Sequence, residues 1–411
     1  MAKYFDGHIM LKIIGEYENQ NVFGQKFLQK EKLAALLKTR LFAQQREVAK
    51  TLNISSLNQK IDDFEKQTEQ QLKEINENQA LVQFLDQQEQ RKQNNQKKYN
   101  VDPALQKTLA TLAKINYDLG NYQESEKYLQ IVFSQFREDS SMTLNLLLGK
   151  LNTEIMTNNV RSAKETFTML KNKLEEDYYN KKYWGDNYHM LVNFRGYLIH
   201  AALYLFIKQG GQKNDLEQFL ENVMQEKMIG TIQMICPYFV RYIALAIFIS
   251  KSSQQSDVDI RKFVKQLKPS IIQYNDCWTQ YLQQVQSDFD FDKSKETIQE
   301  LSKDIKNDIF MKKWQSSLIE HAKNLYFENY CRLYTSVTIQ YVAEFLGVDN
   351  DEAEIWIVNL IRNANIEAKI DSEKGLISIT RNPQNINEKI SLKVRDVIPR
   401  TNIIASNIQK V

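Results

Sequence analysis

The chain has 411 residues, of which 42% are hydrophobic and 26% charged, with a formal net charge of +3. That length allows two or three domains with real cores, and the near-neutral balance excludes a broadly basic nucleic-acid binder, so any RNA contact has to be local. Only 12 glycines and 5 prolines are spread along it, too few turn residues for a mainly β protein, and the expectation is long helices with few breaks.

The opening stretch, MAKYFDGHIMLKIIGEYENQ, has a short apolar patch but neither the sustained hydrophobic region nor the small-residue cleavage site of a secretory signal. Residues 4–52 read as short amphipathic helices, with Phe27, Leu28, Leu33, Leu36, Leu37, Leu41 and Phe42 at helical spacing. From Leu57 to Asn100 the chain turns rich in Gln, Asn, Glu and Lys. There Ile61, Phe64, Leu72, Ile75, Leu81, Phe84 and Leu85 supply a thin apolar seam. This predicts a long exposed helix or helical hairpin, with residues 88–100 as a linker. Asp102 is expected to cap a new helix that starts at Pro103.

A periodic region follows. In YDLGNYQESEKYL, Gly120 suits the left-handed end of one helix, and Ser125 is small enough for close contact on the next. TNNVRSAKETF repeats the arrangement with Asn158 in place of glycine and Ala163 in place of Ser125. The offset is 38 residues, near the period of tetratricopeptide-type hairpins. Less regular pairs follow at 190–208 with 214–228, at 233–250 with 258–273, and at 274–287 with 293–309 across the turn SDFDFD. A stacked right-handed helical array is the reading adopted; an irregular helical bundle is the alternative. The apolar stretch from Ile235 to Ile249 is interrupted by Pro237 and Arg241. It is shorter than the roughly 20 residues needed to span a bilayer, so it reads as a buried core helix.

After a helix around 311–334 the pattern changes. Ser336 to Ile339 is a short β-prone run, Ile339 to Leu346 a helix ending at Gly347, and Asp349 caps a helix carrying Ala353, Trp356, Ile357, Leu360 and Ile361. Ala368 to Ile370, the turn DSEKG, and Leu376 with Ile377 and Ile379 make a hairpin. Helix, strand, helix, helix, hairpin is the order of a winged helix. Residues 386–411 read as a tail helix broken near Pro399. The expected fold class is mostly α: a right-handed helical-repeat, tetratricopeptide-like array, then a winged helix and a C-terminal tail helix. The domain division is 1–100 for the N-terminal helices with the Gln/Asn-rich segment, 101–310 for the array, 311–385 for the winged helix and 386–411 for the tail.

No catalytic constellation is present. There is no GxxxxGK, GxGxxG, HExxH or GxSxG sequence, so neither catalytic residues nor cofactor or metal is expected. Cys236, Cys277 and Cys331 form no CxxC pair and suit reduced, buried thiols in a cytosolic or nuclear protein. His189 and His200 lie 11 residues apart, about three turns, which is too far to share a metal; with His8 and His321 they read as structural or surface groups. Asp288, Asp290 and Asp292 alternate like a calcium loop, but Phe289 and Phe291 fill the intervening positions and no turn glycine is present. They read as a helix-capping turn, with Phe289 or Phe291 plugging between hairpins. Glu175, Glu176 and Asp177 read as a solvated face. The third winged-helix helix opens with Asp351, Glu352 and Glu354, charges that repel phosphate where base contacts would fall. Arg362 and Lys369 are the weak candidates for RNA contact. A wing that does not read DNA leaves its strand edge for pairing with another chain. Interface candidates are Ile377 and Ile379 on the wing, where one alternating set must face the core, and Ile403, Ile404 and Ile408 on the tail.

A helical array feeding into a winged helix resembles the PCI-domain family of the proteasome lid, the signalosome and translation initiation factor three. Within it, EAEIWIVNLIRNANIEAKIDSEKG at 352–375 is similar to the Int-six family, the e-type subunits of eukaryotic translation initiation factor three. Cys236-Pro237 with Arg241-Tyr242, Phe289 to Asp292, Leu119 to Tyr122, and Gly149 to Leu151 with Glu154-Ile155 support the resemblance. It runs over most of the chain and departs at about 53–100 and at Pro399. It implies a non-catalytic scaffold in the cytoplasm, with a nuclear pool left open. The scaffold would organise PCI- and MPN-type subunits through winged helix and tail and support mRNA recruitment and pre-initiation assembly on the small ribosomal subunit. Membrane and small-molecule substrate are not implied. A proteasome-lid or signalosome scaffold is the first alternative, and a nucleic-acid-binding winged-helix protein the second.

Overall fold

A computed structural model describes residues 3–54, 56–78, 103–134, 143–180, 188–250, 274, 276–364, 366, 368–372, 374–379 and 386–408. Its contacts divide the chain into two compact units. One comprises Met1–Ser250, Gln266–Thr279 and Leu301–Ser317; the other comprises Lys251–Lys265, Gln280–Glu300 and Leu318–Val411.

The first unit is helical among its described residues. It opens with α1 (Gly7–Gln20), α2 (Gln25–Leu36), α3 (Phe42–Thr51) and α4 (Ser56–Asn76). Asp6 caps α1, its carboxylate accepting from the His8 backbone N–H at 2.9 Å. Ile14, Leu28 and Ala35 make one small core, and Leu33, Leu36 and Val48 another. The thin seam of α4 is used: Ile61 is buried, and Leu72 with Ile75 packs on the cluster around Leu105, Leu109 and Leu112. The proposed linker at 88–100 and the cap at Asp102 lie outside the described residues.

The repeat is visible atom by atom. Helices α5 (Pro103–Asp118) and α6 (Tyr122–Ser134) form one hairpin, α7 (Thr143–Met156) and α8 (Val160–Asn180) the next. Gly120 sits at φ +90° and Asn158 at φ +59°, both left-handed. Asn121 N–H donates to Asn116 O, and 38 residues on Asn159 N–H donates to Glu154 O, at 2.8 and 2.9 Å. Ser125 and Ala163 are fully buried in equivalent places, with Ser125 Oγ donating to Ala113 O at 2.8 Å. A larger side chain at either position would push the paired helices apart.

Next come α9 (Tyr188–Ala202), prolonged by the wider-wound turn Leu203–Gln209, then α10 (Lys213–Val223), α11 (Glu226–Ile235) and α12 (Val240–Ser250). The helix Tyr188–Gln209 is long and apolar enough to span a bilayer by composition, yet 78% of its apolar window is buried within the protein, as in the core helix of an array. The partner expected for α12 at 258–273 lies outside the described residues. Beneath α12, Arg241 is buried with its guanidinium beside Asp304 at 2.8 Å, Asp276 at 3.3 Å and Asp308 at 3.5 Å, while Tyr242 donates to Asp308 at 3.0 Å. The Arg241-Tyr242 pair noted in the sequence is therefore a structural clasp.

The boundary between the units falls within α13 (Cys277–Gln283) and α14 (Phe291–Asn307). In the second unit, Phe289 takes the left-handed conformation at φ +53° and is exposed. Asp290 caps α14 by accepting from Lys293 N–H at 3.2 Å. Phe291 is the buried plug, its ring edge-on to Tyr326, Tyr330 and Tyr334 of α15 (Gln315–Leu333) and the residue after it. Tyr281 is also buried, donating to Ala322 O at 2.6 Å.

Beyond α15 the unit folds as strand β1 (Ser336–Thr338), α16 (Ile339–Leu346), α17 (Asn350–Ala364), β2 (Ala368–Asp371), β3 (Leu376–Ile379) and α18 (Ile386–Ile408). The Thr338 side chain caps α16, and Gly347 ends it at φ +72°. The sheet is antiparallel in the order β1-β3-β2, with Val337 opposite Ile377 and Ile377 opposite Ile370. Val337, Ile339, Val342, Ala353, Ile357 and Leu360 fill the core beneath it.

The tail differs from expectation at Pro399. The break predicted there is absent, and α18 runs continuously through it. Proline removes one helical hydrogen bond and crowds one carbonyl, at a cost of about 3 kcal/mol. Just beyond the proline, the Thr401 hydroxyl donates to Val397 O at 3.1 Å.

Candidate interaction surfaces

The wing is built from the two-residue period of β3. Ile377 is fully buried and Ile379 nearly so, while Ser378 between them is exposed. Both isoleucines therefore face their own core. Because β3 lies between β1 and β2, its backbone groups are already paired on both sides. The surface left to the wing is the outer edge of β2 and the row Ser336–Ser378–Lys369, which the register places side by side and which is exposed throughout.

On α17 the exposed residues are Asn350, Asp351, Glu352, Ile355, Asn359, Arg362 and Asn363. The acidic first turn lies where a groove-reading helix would meet phosphate. Glu354 is engaged at home, accepting from Ser372 Oγ of the wing turn at 2.6 Å. Arg362 lies at the helix end and Lys369, exposed, on the wing.

The tail carries its exposed apolar face earlier than the sequence predicts. Ile403, Ile404 and Ile408 fall within α18, but their side chains lie outside the described residues. Ahead of them Ile390, Val394, Val397 and Ile398 are each at least half exposed. At 3.6 residues per turn these four stay within an arc of roughly 100°. Pro399 follows Ile390 by about two and a half turns, on the opposite face. The stripe is thus continuous although the helix carries a proline. Lys393 and Arg400 border it along one side, and Lys393, Val394, Val397, Ile398, Thr401 and Asn402 line a shallow groove. The sequence did hold the signal: Ile390, Val394, Val397, Thr401, Ile404 and Ile408 follow a 4-3-4-3-4 spacing.

His8, His200, Cys236 and Cys331 are buried in the core. His200 is buried between Gly196 O and the Tyr238 hydroxyl, at 2.6 and 2.7 Å, and burial pushes its pKa down to about 4. His8 is buried against Tyr117 and Tyr122. Burial pushes the Cys236 and Cys331 thiols up to about 12, which suppresses the reactive thiolate. Among the described residues no group of three His, Cys, Asp or Glu side chains could hold a metal.

A winged helix with a three-stranded sheet, following helical hairpins along the chain, defines a PCI-domain protein, and residues 282–381 match the PCI domain family. The chain is 33% identical over 294 residues to the E subunit of eukaryotic translation initiation factor 3 from Anopheles gambiae, covering 69% of this chain and 64% of that protein. With the corresponding protein of Culex quinquefasciatus the identity is 33% over 304 residues, covering 72% and 66%. With that of Drosophila ananassae it is 30% over 316 residues, covering 77% and 70%. The chain belongs to the family of E subunits of eukaryotic translation initiation factor 3. It spans slightly less than two thirds of the first two relatives' length.

Proposed function

We propose that the chain is a non-catalytic scaffold subunit of initiation factor three. In this role it joins PCI- and MPN-type subunits in the cytoplasm and supports mRNA recruitment and pre-initiation complex assembly on the small ribosomal subunit. The observation that carries this reading is the exposed stripe Ile390, Val394, Val397 and Ile398 on α18. A 23-residue helix with an uncovered apolar face gains little stability on its own in water and is stabilised by packing against other helices. Exposed Ile398 widens the stripe beyond a simple two-stranded seam, which suits a helix lying between two others. The outer edge of β2 offers a second contact by strand addition. Kinship with initiation-factor subunits supports the assembly named, and nothing comparable favours a proteasome lid or signalosome. The acidic start of α17 opposes a duplex reader.

The test is affinity purification of the tagged chain and of V394D/V397D from native cells. Wild type is expected to bring down initiation-factor subunits and small ribosomal subunits, and the variant to lose most of both while melting like wild type. Recovery of proteasome-lid proteins without ribosomal material would overturn the assembly. Undiminished recovery by the variant would overturn the role of the tail.

A further inference from the structure

In the second unit, the end of α15 carries an aromatic stack from the core to the surface. Tyr326 is buried, and the Tyr330 ring lies near-parallel to it, with centroids 6.2 Å apart and planes 17° from parallel. Tyr330 stacks in turn on Tyr334 at 4.2 Å and 23°, and on Tyr341 of α16 at 5.5 Å and 28°. Tyr334 is the outer end of the stack and is 47% exposed. Phe291 meets both rings edge-on, 5.2 Å from Tyr330 and 6.0 Å from Tyr334. Lying nearer to Tyr330, it flanks the stack and leaves the outer face of Tyr334 open. Among the described residues no other ring, and no cation, lies against that face.

An open ring face presents the negative side of the aromatic quadrupole and attracts a cation. The stack already holds one elsewhere: the Lys295 ammonium lies 5.5 Å from the centroid of Tyr341. The turn beside it adds charge of the same sign in Asp288, Asp290 and Asp292. Asp290 is paired with Lys293 at 2.7 Å, and Asp288 accepts from Gln283 Nε2 at 3.4 Å. Asp292 is exposed, and its carboxylate has no hydrogen bond or ion pair among the described residues. Burial chiefly, and the Asp292 charge more weakly, pushes the Tyr330 hydroxyl up, so that carboxylate is within electrostatic reach of the stack. Phe289 in the same turn is exposed and adds apolar surface. Phosphate would meet repulsion from these carboxylates, which disfavours a nucleic acid as the occupant.

We propose that Tyr334 and Asp292 form a docking site for an arginine side chain of another protein. The guanidinium stacks on the outer face of Tyr334 and donates to the Asp292 carboxylate. Arginine fits better than lysine because its planar, weakly hydrated head continues the stack and offers a fork of donors to a carboxylate. An ammonium has no plane to stack and holds its water more tightly. The site uses no residue of the tail stripe or of the β2 edge, and it does not depend on which assembly the chain joins.

The test titrates the purified full chain into a fluorescein-labelled peptide of Arg-Gly-Gly repeats at low salt, with binding read by anisotropy. A Lys-Gly-Gly peptide of equal length and charge is expected to bind about threefold or more weakly. Y334A should weaken the arginine peptide by about two- to fivefold, the range for a cation over an exposed ring. Y334F keeps the ring face and should bind like wild type. D292N should weaken binding by about twofold or more. Both side chains are exposed, so thermal melts of the variants should match wild type. The proposal is overturned if the arginine peptide does not bind, if the lysine peptide binds as tightly, or if Y334A binds like wild type. It is also overturned if a labelled single-stranded RNA binds the chain and Y334A abolishes that binding. Indifference to D292N alone would remove the carboxylate from the site.

Discussion

Replacing Arg241 with methionine removes the cation from a site where three carboxylates converge. Two of the partners, Asp276 and Asp308, have side chains only 14% and 9% exposed, whereas Asp304 is 37% exposed. The Asp304 contact behaves like a surface ion pair worth about 0–1 kcal/mol. The loss is set by Asp276 and Asp308, left charged, close together and without their counter-ion. Breaking a buried pair in this way costs about 3–5 kcal/mol. For a folding unit of this size each kcal/mol lowers Tm by about 2–4 °C, so the variant should melt roughly 6–20 °C lower. The Nε contact to Met311 Sδ at 3.4 Å adds little, and methionine keeps most of the apolar packing. Arg241→Lys retains the charge but replaces the planar fork with a single ammonium, and about half the loss is expected. Urea titration followed by tryptophan fluorescence is a suitable assay, because Trp278 is buried against Phe248 in the same unit. A loss below about 1 kcal/mol for Arg241→Met would show that the clasp is not what ties α12 to the segments at Asp276 and Asp304–Asp308.

Other consequences are accessible to simpler measurements. Burial holds the His200 pKa near 4, below the ordinary 6.5; the folded state thus resists a proton that the unfolded state accepts. The resulting stability is fully present above pH 6.5 and is lost as pH falls towards 4, by about 3 kcal/mol at the limit. Urea midpoints of wild type should fall across that window more steeply than those of His200→Gln; parallel profiles would refute the assignment. Asn158→Ala forces a Cβ-bearing residue without a local polar partner to keep φ +59° and should cost about 1 kcal/mol, whereas Asn158→Gly should be nearly neutral. Equal melting of the two would remove the left-handed argument for the repeat. Pro399→Ala restores one helical hydrogen bond on the face away from the stripe, so a peptide of residues 386–408 should gain helicity by circular dichroism. In the full chain, Pro399→Ala should leave partner recovery unchanged; a loss of recovery would place Pro399 in the contact.

Much of the fold could be read from local chemistry. The repeat was legible because Gly120 and Asn158 are residues that accept a left-handed backbone, and because Ser125 and Ala163 are small at matching places. The winged helix was legible because its elements are short and punctuated: Thr338, Gly347 and the turn at 371–375 each mark a boundary by residue type. The interaction surface was less legible. Ile377 and Ile379 are apolar at alternate positions, and their sequence is the same whether that face is inside or out. Only the neighbours Val337 and Ile370 decide it, and they bring β3 into the middle of the sheet.

The sequence by itself determined the helical content, the 38-residue repeat, the order of the winged-helix elements and the apolar period of the tail. These depend on backbone preferences and side-chain spacing within a few turns. The tertiary structure decided which isoleucines are core and that Arg241 closes a clasp on residues 35 to 67 positions away. Each of these is a matter of which distant groups meet, and a charge or amide has no fixed role until its partner is placed. Pro399 joins both lists. The residue type predicts a break, whereas its position opposite the exposed stripe lets one continuous helix keep that stripe whole.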